Sequence, residues 1–176
     1  MKAEIYREGT PPFHLFYIEK GQVKTFKTNE DGKELIAGLY GPGEYFGYTN
    51  LINDETYSDS AAALGDCKLS LIPKSDFNDL VHKNRQVSKK FMSILSSEVI
   101  SQEERLIQLA YNSVRKRVSE ALIKFFEHQD ETVKTKGLKI SREDISNVAG
   151  TSLETAIRTL SDFKEEKLIE IVTGKI

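Results

Sequence analysis

The sequence of 176 residues contains a single cysteine, Cys67. One cysteine excludes disulfide stapling within the chain, and it excludes an iron–sulfur cluster held by several thiolates of one chain. The sequence also lacks any apolar run near the roughly 18 residues that span a bilayer. No apolar stretch follows the first four residues, so we expect no secretory signal and a cytoplasmic location.

The chain has no strong excess of charge of either sign. It carries 25 lysines and arginines against 27 acidic residues, a formal net charge of −2. Because DNA-binding proteins often carry a basic patch, this balance gives no global indication of a nucleic-acid partner. The last part, residues 111–176, holds twelve basic against eleven acidic residues. Any DNA binding there is expected to be modest and sensitive to salt.

Motifs of enzymes are also missing. The glycines at positions 41, 43 and 47 are not followed by the Gly-Lys-Ser/Thr of a phosphate-binding loop. No cluster of histidine, cysteine and carboxylate residues has the spacing of metal ligands. We therefore expect no enzymatic activity, no metal and no cofactor.

Short β-prone runs fill the chain from about residue 3 to residue 72. Turn signals separate them, among them Asn29-Glu30-Asp31-Gly32 and Gly41-Pro42-Gly43. Many short strands at close spacing predict an antiparallel roll or barrel. The clearest runs are Leu15–Ile18, Val23–Phe26, Leu35–Leu39 and Leu69–Ile72.

A helical period begins near Pro73 with a short segment, 75–81, and continues in a long segment from about Gln86 to Ala110. Within the long segment, residues recur in alternating steps of three and four, which is heptad spacing. Such a seam favours a partner helix and hence a homodimer; the alternative is an apolar stripe that packs on the chain's own roll. The seam residues are Met92, Leu95, Val99, Gln102, Leu106 and Leu109.

A third helix is expected from about Val114 to His128, followed by a polar link from Gln129 to Gly137. After the link, Ser141 is placed to cap a short helix that ends at Gly150. Thr151 and Glu154 then have the spacing of a capping box that starts a second helix. Two short helices joined by a glycine turn predict a helix-turn-helix.

The second helix presents side chains that can read base pairs. Arg158 can donate two hydrogen bonds to guanine, Glu154 can accept one from cytosine, and Leu153 or Ile157 can meet a thymine methyl group. The alternative for Glu154 and Arg158, which are four residues apart, is an ordinary surface pair on a helix. Lys175, in an expected β-hairpin from Glu170 onward, is a candidate phosphate contact. Other candidate backbone contacts are Ser141, Arg142, Thr151, Ser152 and Ser161.

Taken in order, these segments resemble the Crp/Fnr family of transcription regulators, the relatives of the cyclic-AMP receptor protein. The resemblance runs from about Ile5 to the last residue. It is carried by Tyr17–Lys24, Asp31–Glu34, Gly41–Gly47 and Ala149–Leu160. The family's opening segment and the end of its wing are missing, so we expect a chain shortened at both ends.

The resemblance implies an α+β fold in three parts: a cyclic-nucleotide-binding type β-roll (jelly roll) over 1–85, a dimerisation helix over 86–111 and a winged helix-turn-helix over 112–176. It implies that Glu154 and Arg158 read base edges of near-palindromic double-stranded DNA. Leu153 falls where the cyclic-AMP-responsive members have a further arginine, so their operator is not assumed. RNA polymerase is a further candidate partner.

The expected effector pocket departs from the family pattern. In cyclic-nucleotide binders, a glutamate for the ribose and an arginine for the phosphate follow the Phe-Gly pair. Here Tyr48 follows Phe46-Gly47, and Tyr57, next to Ser58, takes the arginine's position. No lysine or arginine occurs between Lys33 and Lys68. A buried phosphate without a cation is costly, so we expect that cyclic AMP does not bind.

Effectors other than cyclic AMP are also considered for the roll. Haem needs an axial ligand, which His14, His82 or His128 could supply, although we expect plain surface histidines. The roll is expected to take another small molecule or none. The alternative function is a ligand-sensing or scaffolding module that has lost DNA binding. A salt titration distinguishes the two hypotheses, because the affinity of a DNA-binding protein falls steeply as the salt concentration rises, whereas a scaffold has no DNA affinity to lose.

Overall fold

A computed structural model describes residues 3–129 and 137–176 of the chain. Residues 130–136, most of the expected polar link, lie outside the described residues. In the described part, no helix is long and apolar enough to cross a bilayer.

Among the residues that the structure describes, seven strands form two antiparallel sheets, in the orders β1-β6-β3-β4 and β5-β2-β7. The four β-prone runs lie within β2, β3, β4 and β7, so the predicted roll is confirmed. The strands are β1 (Glu4–Tyr6), β2 (His14–Lys20), β3 (Val23–Thr28), β4 (Glu34–Tyr40), β5 (Tyr45–Phe46), β6 (Ser60–Ala63) and β7 (Lys68–Pro73).

One element of the roll differs from the expectation of strands alone. Helix α1 (Tyr48–Asn53) follows β5 directly. Gly47 adopts a φ of 79°, which turns the chain out of the strand, and a Cβ there would lie 3.0 Å from the ring of Phe16. Tyr48 and Leu51, three residues apart, are both buried. This spacing suits one face of a helix, but a single turn is too short to be recognised as periodic.

Two helices connect the roll to the rest of the molecule. Helix α2 (Lys74–Lys83) is followed by the long helix α3 (Arg85–Tyr111), whose bounds agree with the predicted long segment. Asn84 caps α3, because its side chain accepts hydrogen bonds from two backbone amides of the first turn. Phe77 of α2 and Phe91 of α3 pack edge to face at 4.9 Å between ring centroids and fix both helices on the roll.

Within residues 112–129 and 137–176 the structure describes three further helices: α4 (Val114–Glu127), α5 (Arg142–Ala149) and α6 (Leu153–Glu165). Their shared core includes Val118, Phe125, Ile145, Leu160 and Phe163. Leu39 and Leu64 of the roll also pack against this core. The helix-turn-helix is therefore in direct apolar contact with the roll.

Candidate DNA interface and sensor pocket

The first helix of the helix-turn-helix begins and ends at the predicted residues. Ser141 caps α5, with its hydroxyl accepting from the backbone N–H of Asp144 at 3.0 Å. Gly150 ends α5 in the left-handed conformation with a φ of 60°. Ile145 and Ala149 are buried, and Val148 is half-buried.

The cap of the second helix is Ser152, not Thr151, so the expected capping box is wrong. The Ser152 hydroxyl accepts from the backbone N–H of Thr155 at 3.2 Å. Thr151 still belongs to the turn, because its backbone N–H donates to the carbonyl oxygen of Ser146. Ser152 has the extended backbone of a capping residue, with a φ of −70° and a ψ of 150°.

Helix α6 divides into an inner and an outer face. Ala156, Leu160 and Phe163 are buried. On the outer face, Leu153 and Ile157 are 45% and 46% exposed, a large fraction for apolar side chains. The exposed side chains of Glu154 and Arg158 lie 3.4 Å apart as an ion pair. Exposed pairs of this kind are weak, about 0.2–1 kcal/mol, so little free energy holds them together. Both groups are thus accessible to a base edge.

The candidate phosphate contacts differ in accessibility. Ser141 and Ser152 are exposed, but their hydroxyls already serve as helix caps. The Ser161 hydroxyl is exposed and donates to the carbonyl of Ile157. Arg142, Thr151 and Lys175 are half-buried.

Lys175 closes a tight turn, as expected for the start of a β-hairpin. The backbones of Val172 and Lys175 form an isolated antiparallel bridge. Ile176 then exchanges two backbone hydrogen bonds with Leu138, which precedes α5. The turn therefore lies against the helix-turn-helix, where a wing is expected.

The predicted seam residues of α3 fall into two groups. Met92, Val99, Gln102 and Leu106 are exposed, with Leu106 at 67%. Two others face their own chain. Leu95 packs on the roll cluster that contains Phe91, and Leu109 lies close to Gly150.

Two further apolar residues of α3 are exposed next to this seam. Ile100 and Ile107 are 55% and 59% exposed, and each follows a seam residue directly. The uncovered apolar stripe therefore consists of Met92, Val99, Ile100, Leu106 and Ile107, rotated slightly from the predicted seam. Apolar side chains in such number on one helix indicate a covering partner.

Two arginines, Arg105 and Arg117, connect α3 to the roll and to the helix-turn-helix. Arg105 of α3 donates to the backbone carbonyls of Ile36 and Ala37 in β4. Desolvation by burial lowers the pKa of Arg105, and the charge of Glu98 opposes this. The Arg105 contact fixes α3 along the edge of the roll.

Arg117 of α4 donates to Ala149 at the end of α5, at 2.8 Å, and to Asn112 and Leu109 at the end of α3, at 3.0 and 3.3 Å. The planar guanidinium, with five donors, suits this set of carbonyls. One side chain thus connects the long helix with the helix-turn-helix. Nothing in the local sequence distinguishes it from a surface arginine.

A buried ion cluster also joins the roll to α5. Lys24 of β3 pairs with Glu34 of β4 and with Asp144 of α5, and its side chain is only 4% exposed. The Asn147 amide donates to the same Glu34 carboxylate at 3.5 Å. An isolated lysine in a strand normally lies at the surface, so the sequence gives no sign that Lys24 is buried.

The expected effector pocket is small. A cavity of about 80 Å³ is lined by Gly47, Tyr48 and Ser58 of the predicted set. Phe46 and Tyr57 instead belong to the aromatic core of the roll, where Phe46 stacks on Phe16. The cavity is also lined by Asp59 and by five residues that the sequence gives no reason to place here, namely Tyr6, Thr25, Tyr40, Thr49 and Asn50.

Tyr6 and Tyr57 fill the space beside this cavity. Their rings stack with 3.7 Å between centroids and 8° between planes. The Tyr6 hydroxyl donates to Asp59 at 3.1 Å. Burial, together with the nearby Asp59 charge, raises the pKa of Tyr57 to about 12 and raises that of Tyr6 further.

Asp59 brings negative charge to this pocket. Desolvation raises the pKa of its carboxyl, while hydrogen bonds from Tyr6 and Thr25 act in the opposite direction. A phosphate in this cavity would therefore lie next to a carboxylate.

The three histidines lie in different places. His14 is half-buried in β2, and His82 is exposed near the end of α2. His128 ends α4, with Nδ1 2.8 Å from the carbonyl of Lys124 and Nε2 3.6 Å from Glu44. His128 is therefore not a plain surface residue.

Comparison with known proteins agrees with this organisation. Residues 2–84 match the family model of the cyclic nucleotide-binding domain, and residues 116–176 match the Crp-like helix-turn-helix domain. The chain is 28% identical to the Cyclic AMP receptor protein of Thermus thermophilus over 99% of this chain and 82% of the relative. It is 27% identical to the Transcriptional activator protein anr of Pseudomonas aeruginosa, over 94% of this chain and 68% of the relative.

A solved structure shows the same fold. FixK2 from Bradyrhizobium japonicum superimposes with a TM-score of 0.86, covering 99% of this chain and 86% of that protein, at 23% identity.

Proposed function

Because the chain belongs to the Crp/Fnr family of transcription regulators, we propose that it binds near-palindromic DNA as a homodimer and regulates transcription without cyclic AMP. In this proposal residues 1–85 form the sensor, 86–111 the dimer helix and 112–176 the DNA-binding domain. The protein works in the cytoplasm, with RNA polymerase as a candidate partner.

The observation that carries the proposal is the outer face of α6. Glu154 and Arg158 are exposed, and their mutual ion pair is weak enough to be exchanged for contacts with bases. Leu153 and Ile157 flank them as apolar side chains. The Arg158 guanidinium can donate to guanine, the Glu154 carboxylate can accept from cytosine, and the apolar side chains can contact thymine methyl groups. These are the groups that base pairs expose in the major groove.

The homodimer is supported by the exposed apolar stripe of α3. A second copy of α3 in parallel arrangement would cover Met92, Val99, Ile100, Leu106 and Ile107. A two-fold dimer would carry two copies of α6. Each would enter one of two successive major grooves, roughly 34 Å apart.

The absence of a response to cyclic AMP is supported by the pocket. The cavity that Asp59 lines has a volume of about 80 Å³, far below the roughly 300–1,000 Å³ of typical small-molecule sites, whereas a separate cavity of about 450 Å³ shares only Tyr40 and Tyr48 with it. Asp59 lines the smaller cavity, and Tyr57 is buried where the family has its arginine. A phosphate there would meet a carboxylate instead of a cation, at a cost of several kcal/mol.

A route for regulation is supported by the contacts between the parts. Lys24 links the roll to α5, and Arg117 links α3 to the end of α5. A change in the roll or in α3 would therefore alter the position of the helix-turn-helix, and with it the spacing of the two α6 helices.

The experiment is selection of binding sites from random duplex DNA at fixed salt, with the wild type and Arg158→Ala in parallel. We expect the wild type to select a palindromic motif in the absence of cyclic AMP. Arg158→Ala should lose preference at one base pair in each half-site, because one arginine reads one guanine.

Added cyclic AMP serves as the control for the sensor. The proposal requires that it leaves the selected motif and the affinity unchanged. A dimeric, folded sample that selects no motif, with or without cyclic AMP, would favour a scaffolding module instead.

A further inference from the structure

We infer that the roll binds a small alkylammonium ion in the cavity beside Asp59. This inference deepens the proposed function, because it names a ligand class for the sensor pocket from which cyclic AMP is excluded. The charge, the lining and the size of that cavity support it.

The charge of the cavity is negative. Asp59 lines it, and within residues 3–129 and 137–176 no lysine, arginine or histidine nitrogen lies within ion-pair distance of this carboxylate. Hydrogen bonds from Tyr6, 3.1 Å from Oδ1, and from Thr25 satisfy part of it, and the positive charge of Lys27 acts on it from beyond ion-pair distance. A carboxylate accepts about four hydrogen bonds, so acceptor capacity remains for a ligand.

The lining is aromatic and hydroxylated. Tyr6, Tyr40 and Tyr48 contribute phenol side chains, and Thr25 and Ser58 contribute hydroxyls. Aromatic rings attract cations through their quadrupole, and pockets of this composition recognise alkylated ammonium groups. An alkylammonium ion brings an N–H for the carboxylate and methyl groups for the rings.

The size of the cavity selects a small ion. A volume of about 80 Å³ has room for only a few heavy atoms. A partly buried carboxylate is costly without a counter-ion, and a ligand cation would reduce that cost. An anion of any size would increase it.

The test is calorimetric titration of the full chain with trimethylammonium chloride, at constant ionic strength maintained with sodium chloride. We expect saturable heat with one site per chain. Tetrabutylammonium chloride, which is too large for the cavity, should give no saturable heat. Binding that does not discriminate between the two ions, or no saturable binding of trimethylammonium, would overturn the inference.

Two variants test the role of the carboxylate. Asp59→Asn keeps the shape and removes the charge, and we expect about ten- to hundredfold weaker binding because a charged hydrogen bond is lost. Asp66→Asn, at an exposed position after β6, is the matched control and should bind as the wild type does. Equal binding by Asp59→Asn would also refute the site.

The comparison of ion sizes in the wild-type protein decides the question by itself if Asp59→Asn fails to fold. The titration contains no DNA, so its outcome is independent of site selection. Failure of the cation site leaves the proposed DNA binding intact, and failure to select DNA leaves the cation result intact.

Discussion

Lys24 of β3 and Asp144 of α5, 120 residues apart in the sequence, form a buried ion pair with 3.2 Å between Nζ and Oδ1. The two side chains are 4% and 1% exposed. Lys24 also pairs with Glu34, so one ammonium group serves two carboxylates from two parts of the fold. The helix-turn-helix is therefore fastened to the roll by charge as well as by apolar contacts.

Replacing Lys24 by methionine should destabilise the protein strongly. Methionine keeps an unbranched chain of similar length but leaves Asp144 buried without its cation, which typically costs about 3–5 kcal/mol. Urea unfolding should show this decrease in the free energy of unfolding. Lys27→Met, at an exposed position of the same strand, is the control and should change stability by less than about 0.5 kcal/mol. Equal stability of Lys24→Met and Lys27→Met would disprove a structural role for the pair.

The sequence was sufficient for features that depend on neighbouring residues. The β-prone runs, the long helix and the cap at Ser141 are each determined by residues within a few positions of one another, and all agree with the structure. The choice between Thr151 and Ser152 as a cap failed, because both types can cap and only the backbone conformation distinguishes them.

Features formed by distant segments were out of reach. Lys24 meets Asp144 only after the roll and the helix-turn-helix have packed together, and no local pattern encodes that contact. Asp59 likewise joins Tyr6 across 53 positions. The sequence predicted that the pocket lacks a cation and has Tyr57 at the arginine's position, but it did not reveal that Tyr6 stacks on Tyr57 there.

Ser152→Ala should weaken the start of α6. Loss of an N-cap side chain costs about 1 kcal/mol, because the backbone N–H of Thr155 loses its acceptor. Thr151→Ala should have a smaller effect, since the described contact of Thr151 in the turn is made by its backbone. The two free energies of unfolding, measured side by side, check the order. A larger decrease in the free energy of unfolding for Thr151→Ala than for Ser152→Ala would indicate that Thr151 caps α6.

Leu106→Glu should dissociate the proposed dimer. Leu106 is 67% exposed in the single chain, so a glutamate there costs little in the monomer but would bury a charge in a helix–helix seam. Sedimentation velocity should show a monomer where the wild type shows a dimer. Ile123→Glu changes an equally apolar side chain, 55% exposed on α4, and should remain dimeric. A dimeric Leu106→Glu would locate the interface elsewhere.

Asp59 should make the protein less stable as the pH rises. Its pKa is raised in the folded state, so between its ordinary value and the folded value the folded chain holds more protons than the unfolded chain. Stability from this group is therefore present at low pH and is lost as the pH increases through the folded pKa. Asp59→Asn should lack this component. The free energy of unfolding of both proteins, measured from pH 3 to pH 7 without added amines, checks this prediction. The free energy of unfolding of Asp59→Asn should increase relative to that of the wild type as the pH rises. If the two free energies change in parallel with pH, the raised pKa of Asp59 is contradicted.

Arg158 and Arg142 should affect DNA binding in different ways. Arg158→Ala removes a proposed base contact, so affinity for the selected palindrome should fall by about 1–3 kcal/mol per half-site, and discrimination at one base pair should be lost. Arg142→Ala removes a proposed phosphate contact, so it should weaken binding to all sequences alike. It should also reduce the slope of log K against log salt by about 0.9 per chain, or roughly 1.8 per dimer.

Fluorescence anisotropy with the palindrome and a scrambled duplex, at several salt concentrations, separates the two effects. If Arg158→Ala instead weakened both duplexes equally, Arg158 would contact the backbone, and sequence recognition would have to come from Glu154 and its apolar neighbours.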